Sequence, residues 1–258
     1  MRPRPALRRV GWALAPLGPL AAIDLLVPLV DPTPRAGFAL GYLAVVSATL
    51  LRLVRGTRLR KVPLPGALGL GAAYALGRVG EPELAGLVAS ISVLWIGCWL
   101  GAAIGRSVTH AGHLPALACM AAAADLWSVG AASGPSHALV TSVDPALARL
   151  VTLSASFVTS SGPASMLGFG DVVFAALYLA VARRHGLSRV RTFAAVAGGL
   201  VGAGALALLL ERPVPALPLI GVAVVAVHWG ALRVQRMDRP ATWVAAALCA
   251  GALVWWGL

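Results

Sequence analysis

Nine apolar stretches, each about 20 residues long, follow one another along this chain, and short connections that hold most of its arginines separate them. A bilayer core is about 30 Å thick, so a helix needs roughly 20 residues to cross it. With 59% hydrophobic and 12% charged residues, the 258-residue chain carries more apolar side chains than a soluble domain of its length buries in one core. The sequence therefore predicts an all-α fold, a polytopic transmembrane helical bundle.

The spans divide the chain into two parts of one membrane unit. The predicted spans are approximately residues 10–30, 36–54, 62–79, 84–105, 114–132, 165–182, 192–210, 214–232 and 241–258. Residues 1–113 hold the first four spans, and residues 114–258 hold the other five. The start of the chain, MRPRPALRR before an apolar run, is expected to be an uncleaved first helix. Residues 133–164 are the long connection, and its stretch LVTLSASFVTSSGPAS is expected to form an interfacial or re-entrant helix.

The basic residues indicate how the spans are oriented. If the N-terminus is cytoplasmic, the inside connections hold 17 of the 21 lysines and arginines, and the outside connections hold four. This alternation predicts an inside N-terminus and an outside C-terminus. The alanine-rich composition, with arginine preferred over lysine, indicates a prokaryotic plasma membrane. Because the charge of +12 lies in short clusters between apolar runs, we expect the partner to be the bilayer and not nucleic acid.

The cysteines and histidines give no pattern typical of a metal site. Cys98, Cys119 and Cys249 lie in apolar runs without CxxC spacing, which favours ordinary packing. His110 and His113 stand three apart in one short inside connection and are interpreted as solvated loop residues. We predict neither a metal nor an organic cofactor.

Three acidic residues lie inside predicted spans, namely Asp24, Asp125 and Asp171. An ionisable group at membrane depth costs several kcal/mol unless it is paired or hydrated, so each is a candidate functional residue. Asp24 lies among prolines, which favours a structural role in bonding a freed backbone group. The span with Asp125 runs outward and the span with Asp171 runs inward, so both acids fall in the outer half of the membrane and would face one another.

Two facing carboxyl groups suit one kind of chemistry. At a separation of a few ångströms they cannot both ionise cheaply, so they share one proton. The ionised member can take a proton from water, which then attacks a peptide carbonyl, while the protonated member hydrogen-bonds the carbonyl oxygen. Asp171 follows Gly168 and Gly170 in the pattern GxGD, and glycines remove side-chain bulk where a substrate backbone must approach.

A third element, VPALPLIG, begins the eighth span with Pro213, Pro215 and Pro218. Proline leaves backbone groups without helical partners, and irregular backbone at membrane depth lines a cavity or is buried. Backbone at Ala216 and Leu217 would then pair with an unwound substrate as an added strand does. The alternative interpretation is a helix that simply begins after a proline-rich turn.

Together the three elements resemble the presenilin and signal peptide peptidase family of intramembrane aspartyl proteases. That family has an aspartate in a [YF]D context, GxGD on the next helix and PAL two helices later; here these are Asp125, Gly168 to Asp171, and Pro215 to Leu217. The resemblance covers residues 115–230. The chain departs from the family at Ala124, where an aromatic residue is usual, and in having PAL on the eighth span with another span after it.

The resemblance implies a presenilin-like bundle that cleaves peptide bonds in transmembrane segments or signal-peptide remnants. Asp125 and Asp171 would be catalytic. The residues that would contact substrate are Gly168, Phe169, Gly170, Pro215, Ala216 and Leu217. The derived orientation is that of signal peptide peptidases, so the substrates would be membrane helices with a cytoplasmic N-terminus, and residues 114–258 would be the catalytic part. The sequence carries no signal for an oligomeric state.

Three alternatives stay open. A prepilin peptidase also uses GxGD, but its acids lie near the cytoplasmic face. A proton-coupled transporter would use paired intramembrane acids as a relay. A catalytically dead homologue would bind membrane helices without cleaving them.

Overall fold

The computed structural model describes residues 63–131, 152–159, 162–210 and 214–257, together with Val46 and Gly134. The elements in chain order are α1 (Leu64–Arg78), α2 (Pro82–Ser107), α3 (Leu114–Gly130), β1 (Thr152–Thr159), β2 (Gly162–Gly168), α4 (Phe169–Arg184), α5 (Arg189–Leu210), α6 (Leu217–His228) and α7 (Arg239–Gly257). Short 3-10 turns lie at Ala111–His113, Trp229–Ala231 and Arg236–Asp238. This part of the chain is predominantly helical, which confirms the all-α prediction at that coarse level.

Each of the seven predicted spans from 62–79 onward corresponds to one helix of the structure. Spans 10–30 and 36–54, and Asp24 with them, lie outside the described residues, except that Val46 is helical and buried. By length and composition, two described helices can cross a membrane, Leu84–Ser107 and Arg189–Ala207, and Leu217–Ala231 is a shorter apolar helix. The count of nine spans stays a prediction.

The prediction of an interfacial or re-entrant helix in residues 133–164 is wrong for the part that is described. Strands β1 and β2 form an antiparallel hairpin there, with Thr152 opposite Gly168 and Thr159 opposite Gly162. The reason lies in the stretch TLSASFVT, where apolar and small polar residues alternate with the two-residue period of a strand and β-branched residues are enriched. The sixth span accordingly begins as a helix at Phe169, and not at residue 165.

Prolines and one glycine explain where several helices begin and end. Proline lies in the first turn of α1, α2, α3 and α6, where its missing N–H costs nothing and its fixed φ suits the helix. Helix α4 ends at Arg184, and two residues later Gly186 takes φ +67° while Leu187 N–H donates to the carbonyl of Ala182 at 3.0 Å. These turns keep the connections short.

Helix α4 forms the centre of the described fold. Its residues from Val172 to Ala182 are buried, apart from the partly buried Phe174, as expected for a helix that is apolar all round. Helix α4 packs most extensively on α2. The face of α2 that contacts α4 has a glycine at every fourth position, namely Gly97, Gly101 and Gly105. Small residues at this spacing let two helix backbones approach closely.

The remaining helices pack in a fixed order around α4. Helix α1 packs on the other side of α2, and α5 packs on both α4 and α6. Helix α6 packs extensively on α3 and also contacts α4, while α7 packs on the far side of α3. Because the α2–α4 contact crosses position 113, the helices before and after that position belong to one packed body.

Candidate active site

Asp125 lies late in α3, where it faces the start of α6. Its Oδ2 accepts a hydrogen bond from the backbone N–H of Leu217 at 3.0 Å, and the N–H of Ala216 also lies near this carboxyl. Ala118, two turns earlier on the same face of α3, packs on Gly221 of α6. The first N–H groups of a helix have no partner within that helix, so a carboxylate is a favourable acceptor for them. Asp125 thus caps α6 from another helix.

Asp171 lies in the first turn of α4, directly after strand β2. Its Oδ2 accepts a hydrogen bond from the backbone N–H of Gly168 at 2.9 Å. Gly168 is the residue before the helix, with extended backbone angles of φ −76° and ψ 158°. This is the return contact of a capping box, in which an acid three residues into a helix bonds the capping residue. The first glycine of GxGD therefore fixes the carboxyl of the same motif.

The two carboxyl groups lie close enough for their charges to interact. Helices α3 and α4 are not among the extensively packed pairs, and α6 contacts both of them. Because Leu217 donates to Asp125, the segment Pro215 to Leu217 lies beside the carboxyl whose charge reaches Asp171. The structure joins the three motif elements in one place, although they lie up to 92 residues apart in the chain.

The glycines of GxGD leave space next to Asp171. Gly170 is exposed, and a methyl group built on it would meet no atom within 4 Å. A methyl group on Gly168 would be 3.6 Å from Asp171 Oδ2, which is ordinary contact. Phe169 instead packs toward α2, since its Cε2 lies 3.6 Å from the position of a β-carbon on Gly97. Gly170 is the open side of the motif, and Phe169 is the packed side.

The PAL segment differs from the extended backbone that the sequence suggested. Pro215, Ala216 and Leu217 are all buried, and Ala216 has helical angles, φ −86° and ψ −30°. Leu217 begins α6, so the alternative of a helix after a proline-rich turn describes the local structure. Its N–H is not free for a substrate strand, because Asp125 already accepts it. Ala124, which replaces the aromatic residue usual in the family, is exposed.

Within the described residues, no group of three or more His, Cys, Asp or Glu side chains could hold a metal ion. His113 Nε2 lies 3.1 Å from Asp238 Oδ2, and His110 Nε2 lies 3.3 Å from the side-chain nitrogen of Gln235. His185 Nε2 lies 3.0 Å from the carbonyl of Val108. His110 is exposed in its connection, as the interpretation of a solvated loop residue expects, and His113 is partly buried against Asp238; their contacts tie together the connections at one end of the bundle.

Two buried polar features were not predicted from the sequence. The Thr192 hydroxyl donates to the carbonyl of Ser188 at 2.9 Å and lies 2.7 Å from His228 Nε2, which joins α5 to α6. Tyr178 is fully buried in α4, and its hydroxyl has no hydrogen-bond partner among the described residues. A lone threonine, histidine or tyrosine in an apolar span gives no periodic signal, so only the helix packing reveals these contacts.

Compared with protein-family models, with curated proteins and with solved structures, the chain gives no match. The family resemblance therefore depends on the motif residues and on the contacts between them.

Proposed function

We propose that this protein is an intramembrane aspartyl protease that uses Asp125 and Asp171 to hydrolyse peptide bonds in membrane-spanning helices. One observation carries the proposal. Each carboxyl is held through Oδ2 by a backbone N–H from a motif residue, Leu217 for Asp125 and Gly168 for Asp171, and the two carboxyl charges interact. Backbone donors of the motif residues therefore orient both carboxyls.

The chemistry follows from the sharing of one proton between the carboxyls. The ionised member takes a proton from a water molecule as the water oxygen attacks the scissile carbonyl carbon, and the protonated member donates to the carbonyl oxygen. Transfer of a proton to the amide nitrogen then releases the amine, and the dyad returns to its starting state. Backbone donors hold both carboxyls before substrate arrives, so little reorganisation is needed in the transition state.

The hairpin supports a peptide substrate in particular. Strand β2 ends at Gly168 and leads directly into the helix that begins with Phe169 and carries Asp171. In a two-stranded sheet each strand has one edge without a partner strand among the described residues. An extended peptide can pair with such an edge through its main chain, and this would hold an unwound segment beside Asp171 and the open side at Gly170.

The substrate class follows from the proposed setting. We propose a prokaryotic plasma membrane, nine spans, a cytoplasmic N-terminus and an outside C-terminus, with substrates that are membrane helices or signal-peptide remnants with a cytoplasmic N-terminus. The support is the position of the arginines, since three connections at one end of the described bundle hold Arg106, Arg183, Arg184, Arg189, Arg191, Arg233, Arg236 and Arg239 against one acid, Asp238.

Cleavage by the purified protein in liposomes tests the proposal. The substrate is a reporter helix with its N-terminus on the arginine-rich side, and the variants are Asp125→Ala and Asp171→Ala. Glu81→Gln, which neutralises an exposed acid at the start of α2 away from the site, is the matched control. We expect cleavage by the wild type and the control, and none by either aspartate variant. Persistent cleavage in one of the aspartate variants contradicts the dyad.

The alternatives give different results in the same liposomes. A proton-coupled transporter would use the two acids as a relay, so it would move protons with a solute and leave the reporter intact. A dead homologue would bind the reporter without cleaving it. Both outcomes would replace the proteolytic proposal.

A further inference from the structure

A groove of about 280 Å³ lies between the beginning of α3 and the beginning of α7, away from the two aspartates. Four apolar residues line most of it: Val108, Ala116, Leu117 and Ala241. The polar part of the lining is His113, Asp238 and Thr242. The groove therefore has an apolar floor and one polar end, a shape that suits an amphipathic ligand.

The acid at the polar end already has a partner. Asp238 Oδ2 lies 3.1 Å from His113 Nε2, and both side chains are about one-third exposed, 30% and 32%. The hydroxyl of Thr242 donates to the backbone carbonyl of Asp238 at 2.9 Å. Asp238 is held by His113, the residue before α3, and the neighbouring arginines outnumber its single negative charge.

The surroundings of the groove are strongly basic and carry exposed apolar side chains. Arg236 and Arg239 lie within two residues of Asp238 and are exposed, as is Arg233. Trp229 and Trp243 are exposed by 72% and 74%, and Met237 is also exposed. Arginines together with exposed tryptophans at the end of apolar helices are typical of a membrane surface, and Lys and Arg there attract anionic lipid.

We propose that this groove binds one anionic phospholipid. Arg236 and Arg239 would hold the phosphate, and an acyl chain would lie along Ala116, Leu117 and Ala241. Charge complementarity selects this occupant, because three arginines near the apolar floor outnumber its one acid. The inference depends on the proposed membrane setting but not on proteolysis. Because the lipid would bridge α3 and α7, it would fix the beginning of the helix that carries Asp125.

The first arm of the test compares lipids on the purified full-length protein in a neutral detergent. Dioleoylphosphatidylglycerol and dioleoylphosphatidylcholine are added separately, and both the Tm and the number of lipids retained in native mass spectrometry are measured. We expect the anionic lipid alone to raise the Tm and to be retained at one per protein. An equal response to the zwitterionic lipid overturns the proposal.

Glycerol phosphate is the third ligand, and a Tm rise with it would mean that the arginines bind free phosphate and that the groove is not used.

The second arm uses variants with matched controls. Arg236→Gln with Arg239→Gln removes the charges beside the groove, and Ala241→Phe fills its floor. Arg184→Gln with Arg189→Gln removes two exposed arginines at the same end, and Ala250→Phe adds the same ring to an exposed position on α7 outside the groove. We expect the groove variants to bind the anionic lipid at least tenfold more weakly and the controls to bind it as the wild type does.

The outcomes separate this proposal from the proteolytic one. Folding of Ala241→Phe is checked by circular dichroism and by its Tm without lipid. If that variant does not fold, the arginine variants still test the proposal, because they leave every lining residue of the groove unchanged. Unchanged lipid binding in the arginine variants overturns the proposal. Lipid binding is measured without a peptide substrate, so a protein that binds lipid but cleaves nothing would refute the protease alone.

Discussion

The backbone N–H of Leu217 donates to Oδ2 of Asp125 over 3.0 Å, and the two residues lie 92 positions apart in the chain. This contact gives the PAL segment a role different from the one its prolines suggested. The start of α6 anchors one of the two carboxyls, in the way that Gly168 anchors Asp171 at 2.9 Å. Both anchors are N–H groups at the start of a helix, where such groups have no partner in the helix itself.

The first prediction measures this anchor at Asp125. Asp125→Asn and Asp125→Ala both remove the charge, but only asparagine keeps an oxygen that accepts from Leu217 N–H. The difference between the two variants therefore isolates the hydrogen bond. We expect Asp125→Ala to be less stable than Asp125→Asn by about 1 kcal/mol, the usual loss on removing a helix-capping acceptor. Thermal unfolding in detergent measures it, and equal Tm values for the two variants would contradict the anchor.

Much of the helical part could be predicted because the apolar runs are long and arginines or prolines mark their ends. The predicted span 84–105 corresponds to the helix Pro82–Ser107, and the predicted span 114–132 corresponds to the helix Leu114–Gly130. The hairpin could not be predicted by the same criterion, because a short apolar run has the same overall hydropathy in a strand and in a helix. In TLSASFVT only the two-residue alternation distinguishes the two.

The candidate site was predictable only as far as its motifs. Asp125 and Asp171 were candidates because an acid at membrane depth costs free energy, and Asp171 also follows the glycines of GxGD. The contact from Leu217 to Asp125 depends on how α6 packs against α3, and a tertiary contact of this kind leaves no mark in the local sequence. The contact between His113 and Asp238 joins residues 125 apart and was not predicted, for the same reason.

The second prediction concerns the open side of GxGD. Gly170→Ala adds a methyl group that meets no atom within 4 Å, and alanine has the higher helix propensity, so the Tm should stay at or slightly above that of the wild type. Cleavage of the reporter helix should nevertheless fall at least tenfold, because the methyl group would occupy the space through which a substrate backbone reaches Asp171. Gly198→Ala, at an equally open position in α5, is the control and should leave cleavage unchanged. If Gly170→Ala cleaves normally, substrate does not approach through this space.

The third prediction concerns Tyr178, which is fully buried and whose hydroxyl has no partner among the described residues. An unpaired buried polar group costs roughly 1–3 kcal/mol, whereas the ring of phenylalanine packs without that cost. Tyr178→Phe should therefore raise the free energy of unfolding by about 1 kcal/mol, since part of the cost is usually relieved by relaxation. The variant and the wild type are compared by thermal unfolding in the same detergent. A fall in Tm would mean that the hydroxyl has a stabilising partner after all.

The fourth prediction concerns the contact that places α4 against α2. A β-carbon on Gly101 would collide with the carbonyl oxygen of Val173 and would lie 2.8 Å from Cβ of Ala176, so the helices would have to separate. Gly101→Ala should therefore destabilise the protein by about 1–3 kcal/mol, the usual cost of overpacking. Gly86→Ala on the same helix is the matched control: no atom lies within 4 Å of its β-carbon, and alanine gains up to about 1 kcal/mol of helix propensity there. Opposite signs of the two Tm shifts would show that α2 and α4 depend on backbone contact at Gly101. If both variants were stabilised, the backbones of α2 and α4 would not be in close contact at Gly101.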